Sequence, residues 1–279
     1  MTSIEDKIKT FVFNTWGSSN IDRFPGPQPI SIERRHFESI KKTKYLVCEK
    51  TDGVRHILVC FMDGPNKICA LVNRSFQYKL YSLTVHKNTL LDGELIDGYF
   101  IVHDAVCING NDMRSLRLDE RLAHINAICK VIIPGQITVV AKKMIPLEEI
   151  SSIKLHSRTD GIIMTPVNEP VRLGTHRTMF KWKESSRNTI DFIVKGGFLC
   201  VQNDSRFVKV QRFEGEENQI LECVFRPGKS SDELGTWEPV IIRKDKSHPN
   251  NLRTFDRTKI NIAENITFDE LKNQFGKSS

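Results

Sequence analysis

The chain lacks the features that usually mark an exported, membrane-bound or metal-stapled protein. Its seven cysteines stand singly, at Cys48, Cys60, Cys69, Cys107, Cys129, Cys200 and Cys223. None falls in a C-x-x-C pair, their number is odd, and no Cys/His spacing resembles a zinc site. A disulfide framework is therefore excluded, and free, mostly buried thiols in a reducing compartment are expected. The opening MTSIEDKIKT has no apolar signal core, and no apolar run approaches membrane-spanning length. Together these absences lead us to expect a soluble intracellular protein of the cytosol or nucleus. Internal repeats and low-complexity tracts are also missing.

What is present is a chain of 279 residues, enough for one large domain or two modest ones, with 39% hydrophobic residues to fill a core. Its formal net charge of +7 favours a polyanionic partner such as RNA, DNA or nucleotide phosphates, and is equally ordinary for a soluble basic protein.

Most of the chain reads as β structure punctuated by turns. YLVCEK (45–50) is closed by Thr51-Asp52-Gly53, and VRHILVCFM (54–62) turns through Asp63-Gly64-Pro65-Asn66 into KICALVN (67–73). LLDGELI (90–96) runs through Asp97-Gly98 into YFIVHDAV (99–106), a hairpin pattern. Strands joined this tightly imply antiparallel sheets. Leu118, Leu122, Ile125 and Cys129 recur at helical spacing and predict a helix near 115–130. A closing helix is predicted from the Thr267/Glu270 capping box, the Leu271–Phe275 pair and Gly276 as its stop. The polar ESSRNT (184–189) separates TMFKWK from about 70 residues of short strands, which fit a small closed barrel of the OB type. The expected fold class is α+β. It has a first domain of antiparallel sheets with flanking helices over 1–187, an OB-fold β-barrel over 188–260, and a C-terminal helix over 261–279 that packs back on the first domain.

Lys50-Thr51-Asp52-Gly53 admits two readings. It is an exposed lysine before an Asp-Gly hairpin turn, or Lys50 is a nucleophile. A free lysine, with a pKa of about 10.4, is protonated at neutral pH and must lose its proton to nearby cations or desolvation before attacking phosphorus. The chain supplies candidate cations. Strand alternation in TMFKWK puts Lys181 and Lys183 on one face, as a solvated ladder or an anion clamp, with Phe180 and Trp182 on the other. Arg55 and Arg74 are further candidates. Leu91-Asp92-Gly93-Glu94 and Thr159-Asp160-Gly161-Ile162 offer acids beside glycines, either as plain turns or as hard oxygen ligands for Mg²⁺ or Mn²⁺ on nucleotide phosphates.

In this order the segments resemble the mRNA capping guanylyltransferases, covalent nucleotidyltransferases grouped with ATP-dependent DNA and RNA ligases. FPGPQPIS (24–31) looks like the segment ahead of the lysine motif, and YLVCEKTDGVR (45–55) carries K-x-D-G-x-R. LLDGEL (90–95), YFIVHDAVCING (99–110), TDGIIMTPVNEP (159–170) and FKWKESSRNTIDF (180–192) resemble the family's motifs III, IIIa, IV and V. The block from Trp237 through IIRKDKSHPN (241–250) resembles motif VI, so the likeness runs from about residue 20 to 260. K-W-K followed by N-T-I-D-F, and R-x-D-K-x-x-P-N, resemble capping enzymes more than ligases.

The resemblance implies a nucleotidyltransferase first domain in which Lys50 forms a lysyl-N-GMP bond. It assigns Arg55, Arg74 and Glu94 to the ribose and nearby phosphate, and Lys181 and Lys183 to the α-phosphate. Asp160 would organise a divalent metal, Mg²⁺ or Mn²⁺, with Glu94 as a second ligand. Lys142, with Lys143 as the fallback, would select guanine. Arg243, Asp245 and Lys246 would act on the β- and γ-phosphates. His103 stands where the family has a purine-stacking phenylalanine, and it reads equally as a core histidine on a strand. The implied substrates are GTP and 5′-diphosphate RNA. Because no H-C-x₅-R loop is present, a separate RNA 5′-triphosphatase and cap methyltransferase are expected as partners, with the phosphorylated RNA polymerase II tail. A nuclear location follows from the likeness to fungal-type enzymes, with a cytoplasmic viral factory as the alternative. The competing functions are an ATP-dependent polynucleotide ligase and a nucleic-acid-binding OB protein with a decayed transferase domain.

Overall fold

A computed structural model describes residues 2–21, 23–85, 87–133, 135–156, 159–228 and 235–277. The chain forms two compact units. One comprises Met1–Ile30, Glu38–Lys181 and Phe275–Ser279, the other Ser31–Phe37 and Trp182–Gln274.

The first unit opens with α1 (Ile4–Trp16), β1 (Gln28–Ser31) and the short α2 (Phe37–Lys41). Strands β2 (Tyr45–Thr51), β3 (Val54–Asp63), β4 (Asn66–Asn73), β5 (Tyr78–Leu80), β6 (Thr89–Ile96), β7 (Tyr99–Ile108) and β8 (Asn111–Asp112) follow. Then come α3 (Leu118–Val131), β9 (Thr138–Ala141), β10 (Ile145–Pro146), β11 (Thr159–Pro166) and β12 (Thr175–Trp182). A five-stranded sheet has the order β1-β12-β11-β2-β10. A seven-stranded sheet has the order β5-β4-β3-β6-β7-β8 with β9 beside β7. The expected β6–β7 hairpin is present, with Ile96 opposite Tyr99 and both Asp97 and Gly98 at positive φ, as a two-residue turn between twisted strands requires. The expectation of purely antiparallel sheets needs one correction: β9 runs parallel to β7, after the crossover through α3.

The seven-stranded sheet is apolar on both faces because a helix covers each. Leu58, Leu71, Leu91, Phe100 and Val102 pack with Leu118, Leu122, Ile125 and Ile128 of α3. On the other face Ile57, Val59, Ala70, Val72 and Leu90 pack with Ile8, Val12 and Trp16 of α1. This explains the unbroken apolar run in β3, which strict alternation would not give. Helix α1 was missed by the sequence reading. Its signals are local: a Ser3/Asp6 capping box, Gly17 as left-handed C-cap, and buried Ile8, Val12, Phe13 and Trp16.

In the second unit β13 (Thr189–Lys195), β14 (Phe198–Asn203), β15 (Arg206–Arg212), β16 (Ile220–Arg226) and β17 (Thr236–Ile242) form an antiparallel sheet of order β15-β14-β13-β16-β17. Its edge strands are tied by one side chain: Gln211 on β15 donates to the Trp237 carbonyl at 3.0 Å and accepts from the Trp237 N–H at 2.7 Å. That double bond imitates a strand pairing and draws the sheet toward a barrel. Helix α4 (Leu252–Glu264) brings Phe255 onto Phe192 and Trp237, and was also missed, because its apolar face is thin. The predicted last helix is α5 (Phe268–Phe275), capped by Thr267 Oγ1, which accepts from the Glu270 N–H at 3.1 Å. All seven cysteines are free and six are buried.

Helix α3 is fastened to β7 by a charge. Arg121, 2% exposed, donates to both oxygens of Asp104 at 2.7 and 3.1 Å, and to the Leu116 carbonyl. Replacing one partner strands the other in an apolar interior. We therefore expect Arg121→Met to destabilise the first unit by about 3–5 kcal/mol, read by denaturant unfolding.

Candidate active site

Lys50 lies near the end of β2, in the five-stranded sheet, whereas β3 belongs to the seven-stranded one. Asp52-Gly53 therefore does not close a hairpin, as the plainer reading of this segment expected. It carries the chain from one sheet to the other. Gly53 is required by contact: a Cβ there would stand 3.0 Å from the Leu95 carbonyl and 3.3 Å from Glu94 Cβ. The crossing thus presses the lysine segment against the end of β6, where Glu94 sits.

Opposite Lys50 the pairing is irregular. Thr159 pairs with Thr51 and Ile162 with Glu49, so two residues of β11, Asp160 and Gly161, face Lys50 alone. Gly161 has φ +129°, a conformation that side-chain-bearing residues rarely adopt. The bulge turns Asp160 toward the amine, and Lys50 Nζ donates to Asp160 Oδ2 at 2.7 Å. Both side chains are largely shielded, at 21% and 14% exposure. Neither Asp92-Gly93 nor Asp160-Gly161 is a turn; Asp160-Gly161 is a bulge of β11, and Asp92-Gly93 lies within β6, opposite a bulge of β7. At hydrogen-bond distance Lys50 meets a carboxylate, and the Glu94 carboxylate feels its charge as well.

Around this pair stands a set of nearly buried charges. Arg55 donates to both oxygens of Asp92, at 2.9 and 2.5 Å, and to the Pro27 carbonyl at 2.6 Å, with the Phe24 ring 5.2 Å from its guanidinium carbon. The segment 24–31 is thus a sleeve around Arg55, and a Cβ at Gly26 would strike its guanidinium at 2.5 Å. Burial pushes the Asp92 carboxyl up, but Arg55, His103 and Arg74 outweigh it and hold it below the ordinary carboxylate value. Glu94 goes the other way. Burial raises its carboxyl against the pull of His103, Lys50, Lys142 and Arg55, and among the described residues its Oε2 is buried without a hydrogen-bond partner. Arg74 lies within the field of Arg55, Asp92 and Glu94.

His103 is the extra residue of a second bulge: Asp92 faces Asp104 and Gly93 faces Val102, leaving His103 unmatched. Its Nε2 stands 3.6 Å from Asp92 Oδ1 and its side chain is 29% exposed, half in and half out of the core. Lys142 Nζ donates to Thr51 Oγ1 at 2.6 Å, beside the nucleophile candidate. On β12 the predicted alternation is present, with Phe180 and Trp182 buried and Lys181 half-buried on the strand next to β11. Lys183 follows the end of β12 and belongs to the second unit, as do Arg243, Asp245 and Lys246. There Arg243 reaches Glu222 at 3.0 Å, Asp191 at 3.2 Å and Asp245 at 2.7 Å, and Lys246 also pairs with Asp191. The hydrogen bond from Arg243 holds the Asp245 carboxyl down, to about 2.

Sequence reasoning singled out Asp92 only as one possible metal ligand and passed over Asp191. Both are the carboxylates that hold predicted arginines in place. The R-to-D spacing carries no trace of this, since the partners lie 37 and 52 residues apart.

The Asp92–Arg55 pair gives a pH signature. With its folded-state pKa depressed, Asp92 contributes stability that is fully present above about pH 4 and is lost as pH falls through the folded value. We expect Asp92→Asn to cost about 3–5 kcal/mol at pH 7 and to flatten the acid limb of a stability–pH profile measured by urea unfolding.

Comparison with known proteins returns one consistent group. The family model for the mRNA capping enzyme catalytic domain matches residues 2–185, and that for its C-terminal domain matches residues 197–272. The mRNA-capping enzyme subunit alpha of Schizosaccharomyces pombe is 28% identical, over 95% of this chain and 82% of that protein. The corresponding Yarrowia lipolytica protein is 27% identical, over 88% and 80%. The mRNA-capping enzyme of Danio rerio is 26% identical over 85% of this chain, which spans 46% of that longer protein. A mycobacterial DNA ligase D complexed with ATP and MES aligns over 79% of the chain, at 11% identity and a TM-score of 0.47, too distant to argue from.

Proposed function

Because the chain belongs to the mRNA capping enzyme family and is a guanylyltransferase, we propose that Lys50 is the residue on which it carries GMP. The observation that supports this most is the bulge that sets Asp160 against Lys50 Nζ at 2.7 Å, with both side chains largely shielded. An amine held this way has few orientations to lose on reaching a near-attack geometry.

In the first step the Lys50 nitrogen forms a bond to the α-phosphorus of GTP. The phosphorus–oxygen bond to the β-phosphate breaks, and its electron pair leaves with pyrophosphate. The ammonium gives up two protons: the first passes before attack to Asp160, toward which it already points, and the second leaves to solvent as the phosphoramidate forms. In the second step an oxygen of the 5′-diphosphate RNA attacks the same phosphorus. The nitrogen–phosphorus bond breaks, and lysine recovers both protons as the G(5′)ppp(5′)RNA cap is released. Lys181 and Lys183 would offset charge on the transferring phosphoryl group, as preorganised cations do. Arg55, already clamped by Asp92, and Arg74 would receive ribose and phosphate oxygens. Lys142 would face guanine beside Thr51, and His103 the purine ring. Arg243, Asp245 and Lys246 would act on the β- and γ-phosphates. Functionally, residues 1–187 would be the GTP-binding part, 188–260 the OB part and 261–279 the helical close.

Among the described residues no three His, Cys, Asp or Glu side chains converge to form a metal cage. The donors Asp160 and Glu94, the latter with a buried unbonded oxygen, suit a Mg²⁺ or Mn²⁺ ion that takes the rest of its shell from substrate phosphates and water. Such an ion would neutralise phosphate charge. The likeness to fungal capping subunits supports a nuclear enzyme working with a separate RNA 5′-triphosphatase and cap methyltransferase on polymerase II transcripts.

Incubation with α-labelled GTP and Mg²⁺ or Mn²⁺ should leave acid-labile, alkali-stable label on the wild-type chain. Lys50→Ala should carry less than about one-thousandth of it, since no other nucleophile replaces the lysine. Label retained by that variant refutes the assignment, and labelling by ATP in preference to GTP would turn the reading toward a polynucleotide ligase.

A further inference from the structure

The β14–β15 hairpin of the second unit carries aromatic rings and cations on one face, none of them among the residues assigned above. Directly opposed strand residues share a face. Gln202 opposes Phe207, Cys200 opposes Lys209, and Phe198 opposes both Arg212 on β15 and Lys195 on β13. The other face, with Leu199, Val201 and Val208, packs into the core of the unit. A bulge after Leu199 decides what the open face holds. It omits Val210 from the pairing, so Arg212 rather than Gln211 stands opposite Phe198, and Gln211 is freed to reach Trp237.

Each ring on this face is accompanied by a cation. Lys209 Nζ lies 4.4 Å from the Phe198 centroid, the Arg212 guanidinium carbon 6.0 Å from the same ring, and Lys195 Nζ 5.2 Å from Phe207. Phe207 is 43% exposed, an unusual state for a phenylalanine on a folded sheet. Among the described residues no carboxylate comes within ion-pair distance of Lys195, Arg206, Lys209 or Arg212. Elsewhere in this unit Arg243, Lys246 and Arg34 are each neutralised by acids. Unneutralised cations interleaved with rings that every base can stack on form a single-strand nucleic-acid platform, and on OB-type sheets the second and third strands are the usual place for one.

We propose that this hairpin face is a docking surface for the single-stranded RNA whose 5′ end is capped. It grips nucleotides downstream of the reacting diphosphate through phosphates on Lys195, Lys209 and Arg212 and a base on Phe207. The proposal rests on the guanylyltransferase reading for its choice of RNA.

The test measures two quantities separately. Binding of a fluorescein-labelled single-stranded RNA of about 15 nucleotides is followed by anisotropy across a salt series, and Lys50 labelling by GTP is followed without RNA. Wild type is compared with Lys209→Ala/Arg212→Ala and with Phe207→Leu, all at solvent-facing positions. The double variant should bind RNA several-fold to tenfold more weakly, with a log–log salt slope shallower by about 1–1.5. Phe207→Leu should lose up to about tenfold without a change in slope. Both should retain GTP labelling. Unchanged RNA affinity in both variants overturns the docking face while leaving the transferase reading intact. Equal binding of a blunt RNA duplex, insensitive to Phe207, also overturns it. Loss of GTP labelling in the wild type would sink the transferase reading instead.

Discussion

The site depends on one local irregularity, the two-for-one bulge in which Asp160 and Gly161 stand against Lys50. A regular ladder would give Lys50 a single cross-strand partner and would turn the next side chain to the other face of the sheet. The extra residue breaks that alternation and delivers a carboxylate to the amine. It can do so because Gly161 occupies φ +129°, where a side chain would impose strain of about 1–3 kcal/mol. Lys50 is thereby held in place, with both partners largely shielded from solvent.

The surrounding charges obey a second constraint. Asp92 and Asp104 are directly opposite across β6 and β7, two buried carboxylates at adjacent positions. Like charges so placed repel, and burial makes each expensive unless it is answered. The structure answers each with its own arginine, Arg55 for Asp92 and Arg121 for Asp104. One arginine extends from the lysine motif, and the other fastens helix α3. Stability and site geometry therefore share the same bonds. Glu94, opposite Arg55 and one residue from the end of β6's pairing with β3, is the exception, with a buried oxygen left unbonded among the described residues.

In the second unit, Gln211 and the bulge beside it link two properties that look independent. Gln211 joins the sheet's edge strands, while the same shift in register turns Arg212 outward over Phe198. One extra residue, Val210, thus serves both the closure of the sheet and the character of its open face.

Several features were legible in the residues alone. The β6–β7 hairpin could be read because Asp97-Gly98 is a turn with a fixed geometry, and α3 and α5 because their apolar stripes and caps are local. The order of short motifs sufficed to recognise the capping-enzyme family. Helices α1 and α4 went unread although caps marked both, since a capped segment declares a helix only when its apolar face is weighed with it. Other features depend on partners far along the chain. Nothing near Lys50 says that Asp52-Gly53 crosses between sheets, that Asp160 meets the amine, or that Asp92 clamps Arg55. Local sequence sets backbone preferences over a few residues. Which buried charge meets which is decided only when strands more than thirty residues apart settle into register, because an unpaired charge in the interior is too costly to leave.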